Sequence, residues 1–178
     1  DAGLRMQGRY LFVTVPEKLL VQSNDNNAAC ASNDANCSVF KAAGAEFNLS
    51  LSATCSDDTI TANFQMNNIP LTVATIAPNL GNPVSLGITD ISITDDGFHT
   101  ESNQTISEVG VFSITATPTA NGYFDETIAP ATSASIGRFI PDHFILSDPD
   151  NGSLNGGDPF VYTGQMRTAT DGQISYAS

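Results

Sequence analysis

Basic side chains are scarce: six lysines and arginines stand against 19 aspartates and glutamates, for a net charge of -13 over 178 residues. Nucleic acid and anionic lipid recruit cations, so this deficit excludes both as main partners. The acids fall in turns more than in runs, the pattern of a solvated face that resists aggregation. Long apolar runs are missing too. Stretches such as Leu11-Phe12-Val13 fall far short of the ~20 residues a spanning helix requires, so no membrane insertion is expected in this segment. The opening Asp1-Ala2-Gly3 has neither the basic nor the apolar region of a signal peptide, which puts any export signal outside the chain. Helical periodicity is almost absent, and Val39 to Ala45 is the best stretch for one short helical turn. No Ser-His-Asp set, Gly-rich phosphate loop or zinc-spaced cluster occurs, so an enzyme is the least expected class.

Period-two alternation is what the chain has in abundance. Phe47-Asn48-Leu49-Ser50-Leu51-Ser52-Ala53-Thr54 places apolar residues on one face and small polar ones on the other, the signature of a half-buried antiparallel strand. Gly110 to Thr117 repeats it, and Leu71 to Ile76 and Ile88 to Ile93 do so more weakly. These runs are rich in Thr, Val and Ile, whose β-branching suits a pleated surface. Between them sit turn formers: Asn67-Asn68, Gly81-Asn82-Pro83, Asp95-Asp96-Gly97 and Asn121-Gly122. Short strands at this spacing predict an all-β chain, an immunoglobulin-like antiparallel β-sandwich followed by the first strands of a second similar module.

An internal echo sets the expected boundaries. Gly8-Arg9-Tyr10 leading to Val15-Pro16-Glu17-Lys18-Leu19-Leu20 is answered by Gly137-Arg138-Phe139-Ile140-Pro141-Asp142-His143-Phe144-Ile145. Downstream, Gly44-Ala45-Glu46-Phe47-Asn48-Leu49 is answered by Gly157-Asp158-Pro159-Phe160-Val161-Tyr162. One unit therefore ends and a similar one begins at each copy. Residues 1–14 are expected to be a lead-in or the last strand of a preceding module, 15–135 the sandwich, and 136–178 the junction and incomplete start of a second module. Arrays of this kind hold things at a distance or bind surfaces.

Three cysteines give an odd count. Cys30 and Cys37 flank the Asx-rich loop Ala31 to Asn36, and a bridge between them would close a small ring in an oxidising compartment. Pairing of Cys55 with either, or three reduced thiols, are the alternatives that spacing leaves open. Cys55 ends the alternation of Phe47, Leu49, Leu51 and Ala53, so its side chain is expected in the core as a small hydrophobe. None of the three has a histidine nearby to make it a nucleophile.

The one motif with a cofactor reading is Asp148-Pro149-Asp150-Asn151-Gly152-Ser153-Leu154-Asn155-Gly156-Gly157-Asp158. Alternating Asp and Asn around glycine can present hard oxygens to calcium, with Asp148, Asp150 and Asp158 as candidate ligands. The terminal bidentate Glu of an EF-hand loop is missing, and an Asx-rich turn explains the same letters. His143 reads as a junction histidine bonded to backbone, because neighbours in a strand face opposite ways and Asp142 should point elsewhere. His99 reads as part of a polar turn. Sequons at Asn48 and Asn103 arise by chance in so Asn-, Ser- and Thr-rich a chain. Tyr123-Phe124 is the best aromatic pair for stacking on a sugar, although a tyrosine buried at a sandwich corner is the commoner use.

The phrase Ile136-Gly137-Arg138-Phe139-Ile140-Pro141-Asp142-His143-Phe144, preceded by Ser107 to Ile114 and followed by Phe160-Val161-Tyr162-Thr163-Gly164-Gln165, resembles the MshQ-like family of MSHA pilus biogenesis proteins. That resemblance implies a large secreted or surface-anchored bacterial protein built of β-rich modules, with no catalytic residues to carry over. Together these readings predict a non-enzymatic extracellular module of a pilus-associated surface protein, a stalk or adhesin component whose partners are other pilus or surface-protein modules. A carbohydrate-binding module, taking a host or surface glycan, and a strand-exchanging filament subunit are the alternatives.

Overall fold

This computed structural model describes residues 14–31, 36–79, 81–147 and 173–177. Among them no helix forms, and the strands in chain order are β1 (Lys18–Gln22), β2 (Lys41–Ala42), β3 (Phe47–Thr54), β4 (Met66–Ala77), β5 (Asp90–Ile93), β6 (Phe98–Gln104), β7 (Gly110–Ala116), β8 (Ala131–Thr132), β9 (Ile136–Ile140), β10 (His143–Ser147) and β11 (Gln173–Ala177). A three-stranded sheet, β1-β3-β6, lies against a six-stranded sheet, β2-β9-β7-β4-β5 with β8 beside β7. The chain is thus an all-β sandwich, with β10 and β11 forming a separate antiparallel pair.

The alternation of β3 translates directly into burial. Phe47, Leu49, Leu51 and Ala53 are buried and enter one continuous core with Leu19 and Val21 of β1. The opposing sheet contributes Ile69 and Leu71 of β4, Ile91 and Ile93 of β5, Phe112, Ile114 and Ala116 of β7, and Ile136 and Phe139 of β9. Each such side chain removed from water contributes on the order of 1.5–3 kcal/mol, which offsets the cost of ordering so many short strands. Phe139 is the hub. Its ring lies 5.3 Å from that of Phe40, 5.7 Å from Phe47 and 5.8 Å from Phe112, centroid to centroid. Edge-to-face and tilted arrangements at such distances add to the gain from area alone.

Two glycines let that ring arrive. Gly137 has φ +145 and Gly110 φ +137, conformations that L side chains rarely adopt. A Cβ on Gly137 would meet the Gly110 carbonyl oxygen at 2.8 Å, and one on Gly110 would meet the Ala77 carbonyl oxygen at 2.3 Å. Here the β7–β9 register shifts, pairing Gly110 with Phe139 but Val111 with Gly137. The Gly-Arg-Phe phrase, read from sequence as a junction, is therefore a strand of the sandwich. Its echo at Gly8-Arg9-Tyr10 lies outside the described residues.

Other expectations shift as well. Val39 to Ala45 is no helical turn: Phe40 packs its ring on Phe47 and Phe139, and extended β2 pairs parallel with β9 before Gly44 turns at φ +81. The sandwich runs on to Ile140 rather than stopping at 135, because β9 completes the larger sheet. The partner of β10 is β11, while the echoed run at Phe160 lies outside the described residues. His99 lies in β6, an edge strand whose polar sequence hides it. The end of β6 is fixed by fully buried Gln104, whose side-chain amide copies a strand peptide: Nε2 donates to the Ile88 carbonyl at 2.8 Å and Oε1 accepts from the Ile88 N–H at 2.9 Å.

Replacing Phe139 by alanine removes the hub and is expected to cost about 3–5 kcal/mol of unfolding free energy. Gly137→Ala should cost about 1–3 kcal/mol through backbone strain and crowding. Urea unfolding followed by circular dichroism reads both, and a loss under ~1 kcal/mol for Phe139→Ala would contradict the role assigned to its ring.

Candidate functional site

The residues singled out from sequence scatter. Asp148, Asp150 and Asp158 lie outside the described residues, and among the described residues no group of three or more His, Cys, Asp or Glu is placed to hold a metal ion. His99 and His143 belong to different sheets, β6 and β10. The first has its Nε2 3.9 Å from a Glu101 carboxylate oxygen. The second contacts Asp142 through Nδ1 at 2.9 Å, both side chains exposed, so its partner is the neighbouring carboxylate rather than backbone.

Cys30 and Cys37 are bridged, with Cα atoms 5.4 Å apart. The base of the ring docks on the start of β9: the Cys30 N–H donates to the Ser135 carbonyl at 2.9 Å, and the Gly137 N–H to the Ala28 carbonyl at 3.0 Å. Cys55 is free and exposed, not in the core. The reason is local. β3 stops at Thr54, and a turn closed by Asp58 N–H to Cys55 C=O at 3.1 Å breaks the alternation one residue early.

A clasp holds the disulfide-bearing loop to β3. Asp25 accepts from the Asn48 side chain at 2.6 Å and from its backbone N–H at 3.1 Å, while Lys41 Nζ lies 3.4 Å away and donates to the Glu46 carbonyl at 2.6 Å. Partial burial works to raise the Asp25 carboxyl, but the Asn48 donors and then Lys41 outweigh it and hold the group below its ordinary 3.8.

The arrangement with most chemistry lies where the β5–β6 turn and the segment between β7 and β8 meet the start of β4. Gln65, Met66, Asn67, Thr94, Thr119 and Gly122 line an open groove of about 580 Å3. Four of these six side chains are neutral amides or hydroxyls. Asn67 lies in a β-bulge, where the β4–β5 register shifts between Met66 and Ile69, and bulges re-aim side chains in this way. Next to Gly122, the Tyr123 ring lies tilted against buried Phe64 at 4.9 Å and edge-to-face with Phe124, which is 69% exposed, at 4.8 Å. Of the expected aromatic pair, one ring is thus a partly buried support and the other stands in solvent. The turn is tied down internally: Thr127 Oγ1 donates to Asn121 Oδ1 at 2.9 Å, Gly122 N–H to the Thr119 carbonyl at 3.0 Å, and Glu126 N–H to the Tyr123 carbonyl at 2.9 Å.

Two family models match: DUF6701, second domain, over residues 15–110, and DUF6701, third domain, over residues 108–175. The first spans more than half of the 178 residues, and the chain belongs to the DUF6701 family, a family of unknown function. No curated protein and no solved structure matches it. The two models meet at the start of β7, inside the larger sheet, so the segment matched to the third domain supplies β7, β8 and β9 to the sandwich.

Two outcomes follow from this geometry. A chain ending at residue 110 deprives β4 of β7 along six register positions and removes Phe112, Ile114 and Phe139 from the core, so it should lack a cooperative thermal transition that residues 15–140 retain. Equal folding of the two pieces would contradict the shared sheet. Asp25, depressed in the folded state, stabilises fully above the unfolded value of 3.8 and loses its contribution as pH falls through the lower folded value. The stability gap between wild type and Asp25→Asn should therefore be widest at neutral pH and close below 3.8, and a gap independent of pH would remove the clasp from the account.

Proposed function

We propose that this member of the DUF6701 family is a non-enzymatic structural module of a pilus-associated protein at the bacterial cell surface, a stalk or adhesin component. The observation that carries the reading is the joint after the sandwich. β9 ends at Ile140 and β10 begins at His143, which leaves Pro141 and Asp142 as the whole connection between two sheets. Proline fixes φ and offers no N–H, which limits the ways so short a link can bend. A short link of this kind suits units that must transmit position or force along a line, whereas flexible tethers are longer and rich in Gly and Ser. The Cys30–Cys37 bridge supports an oxidising, extracytoplasmic location. Among the described residues no helix is long and apolar enough to cross a membrane. Association with a pilus is supported by the likeness of the Ile136 to Phe144 phrase to MshQ-like proteins, and the partners are other modules of the same surface assembly.

Antibodies raised against residues 15–140 should label intact, unpermeabilised cells that make the full-length product, and removal of surface pili should change the pattern. Labelling that appears only after the cells are opened would overturn the reading.

A further inference from the structure

We propose that the groove between β4, the β5–β6 turn and the Thr119 to Glu126 turn binds a neutral oligosaccharide, with Phe124 as the stacking platform at its rim. Three independent features of this end of the sandwich converge on that ligand class. The first is polarity. Gln65, Asn67, Thr94 and Thr119 offer paired donors and acceptors without formal charge, and no lysine or arginine lines the groove, so neither an anion nor an apolar molecule finds complementary chemistry there. A ligand dense in neutral hydroxyls does.

The second feature is the exposed ring. Phe124 stands in solvent, and its one ring contact is edge-to-face with Tyr123, which itself packs on buried Phe64, so the core reaches the exposed ring through Tyr123. A rigid aromatic loses little conformational entropy when a sugar's C–H face settles on it.

The third is backbone strain. Among the described residues, five of the seven non-glycine positions with positive φ flank this groove: Asn68 beside Asn67, Asp96 in the β5–β6 turn, and Asn121, Phe124 and Asp125 in the turn that carries the ring. A bulky residue such as Phe124 at φ 50 is unusual, and such conformations persist where the surroundings over-determine them, often at binding sites. The hydrogen bonds within 119–127 supply that constraint.

The test is a set of nuclear magnetic resonance titrations of the 178-residue chain with maltohexaose, cellohexaose, N-acetylchitohexaose and mannohexaose, each to about 5 mM, the weak-affinity range of single sites. At least one should give saturable shifts of the Asn67, Thr94 and Gly122 amides while those of Gln22 and Lys41 stay still. Phe124→Ala should weaken that binding about tenfold, and Gln65→Ala should weaken it as well. Both positions are exposed, so both variants should keep the wild-type amide spectrum elsewhere. No saturable shift with any of the four sugars, shifts located away from the groove, or wild-type affinity in both variants would overturn the proposal. Tighter binding of a heparin-derived hexasaccharide than of all four would overturn the neutral class assigned to the ligand. None of these outcomes bears on surface labelling, so this proposal and the structural-module reading can fail separately.

Discussion

The ring of Phe139 occupies the space that the two sheets must share. Phe40 comes from the β2 region, Phe47 from the smaller sheet and Phe112 from the neighbouring strand β7, and all three meet Phe139 at van der Waals distance. A sandwich is stable only when side chains from both inner faces fill the gap between sheets to crystal-like density. Four aromatics around one point do much of that filling here. The glycines beside the ring mark close backbone approaches: at Gly137, β9 comes so near β7 that a methyl group would run into the Gly110 carbonyl, and at Gly110, β7 comes as near the Ala77 carbonyl of β4. One constraint, bringing a large ring from an added strand into a closed core, thus explains the most distinctive phrase in the chain.

Around that centre, polar contacts hold parts that the core does not reach. The disulfide loop would hang free after β1 but for its docking on β9 and the Asp25–Asn48–Lys41 clasp. Gln104 joins the edge strand β6 to the segment before β5 with two hydrogen bonds from one side-chain amide. Because that amide is fully buried, leaving either of its atoms unpaired would be costly, and the satisfied pair therefore orients this edge firmly. β2 and β8, two residues each, are held through their pairing with β9 and β7.

The two proposed roles rest on separate regions of the scaffold. At one end a two-residue connection leads from β9 to β10, the feature that supports a stiff modular role. Elsewhere the turns beside the start of β4 gather strained backbone, neutral polar side chains and an exposed phenylalanine. Rigid sheets with function confined to the turns are the usual division of labour in β-sandwiches.

The strands that alternate cleanly, β3 and β7, were readable in the linear order of residues, because a period of two places every second side chain on one face whatever the rest of the chain does. The Cys30–Cys37 pairing was the first choice because a short loop brings its own ends together, but the structure decided it against the alternatives that spacing left open. β6 was not readable, since Phe98-His99-Thr100-Glu101-Ser102-Asn103-Gln104 carries no apolar alternation and is a strand only through its pairing with β3. Nor was the exposure of Cys55, which depends on a turn that starts one residue sooner than the alternation suggests. The turn beside the groove was visible, as Tyr123-Phe124, but the groove's other residues, Gln65 to Asn67 and Thr94, come from distant parts of the chain. Local chemistry therefore specified the cleanly alternating strands and many of the turns between them, and made Cys30 with Cys37 the first of several open pairings. Long-range packing chose the sheet partners, drew Gly-Arg-Phe into the core instead of a joint, and gathered three distant turns around one surface, because those outcomes depend on how separate strands fill a common volume.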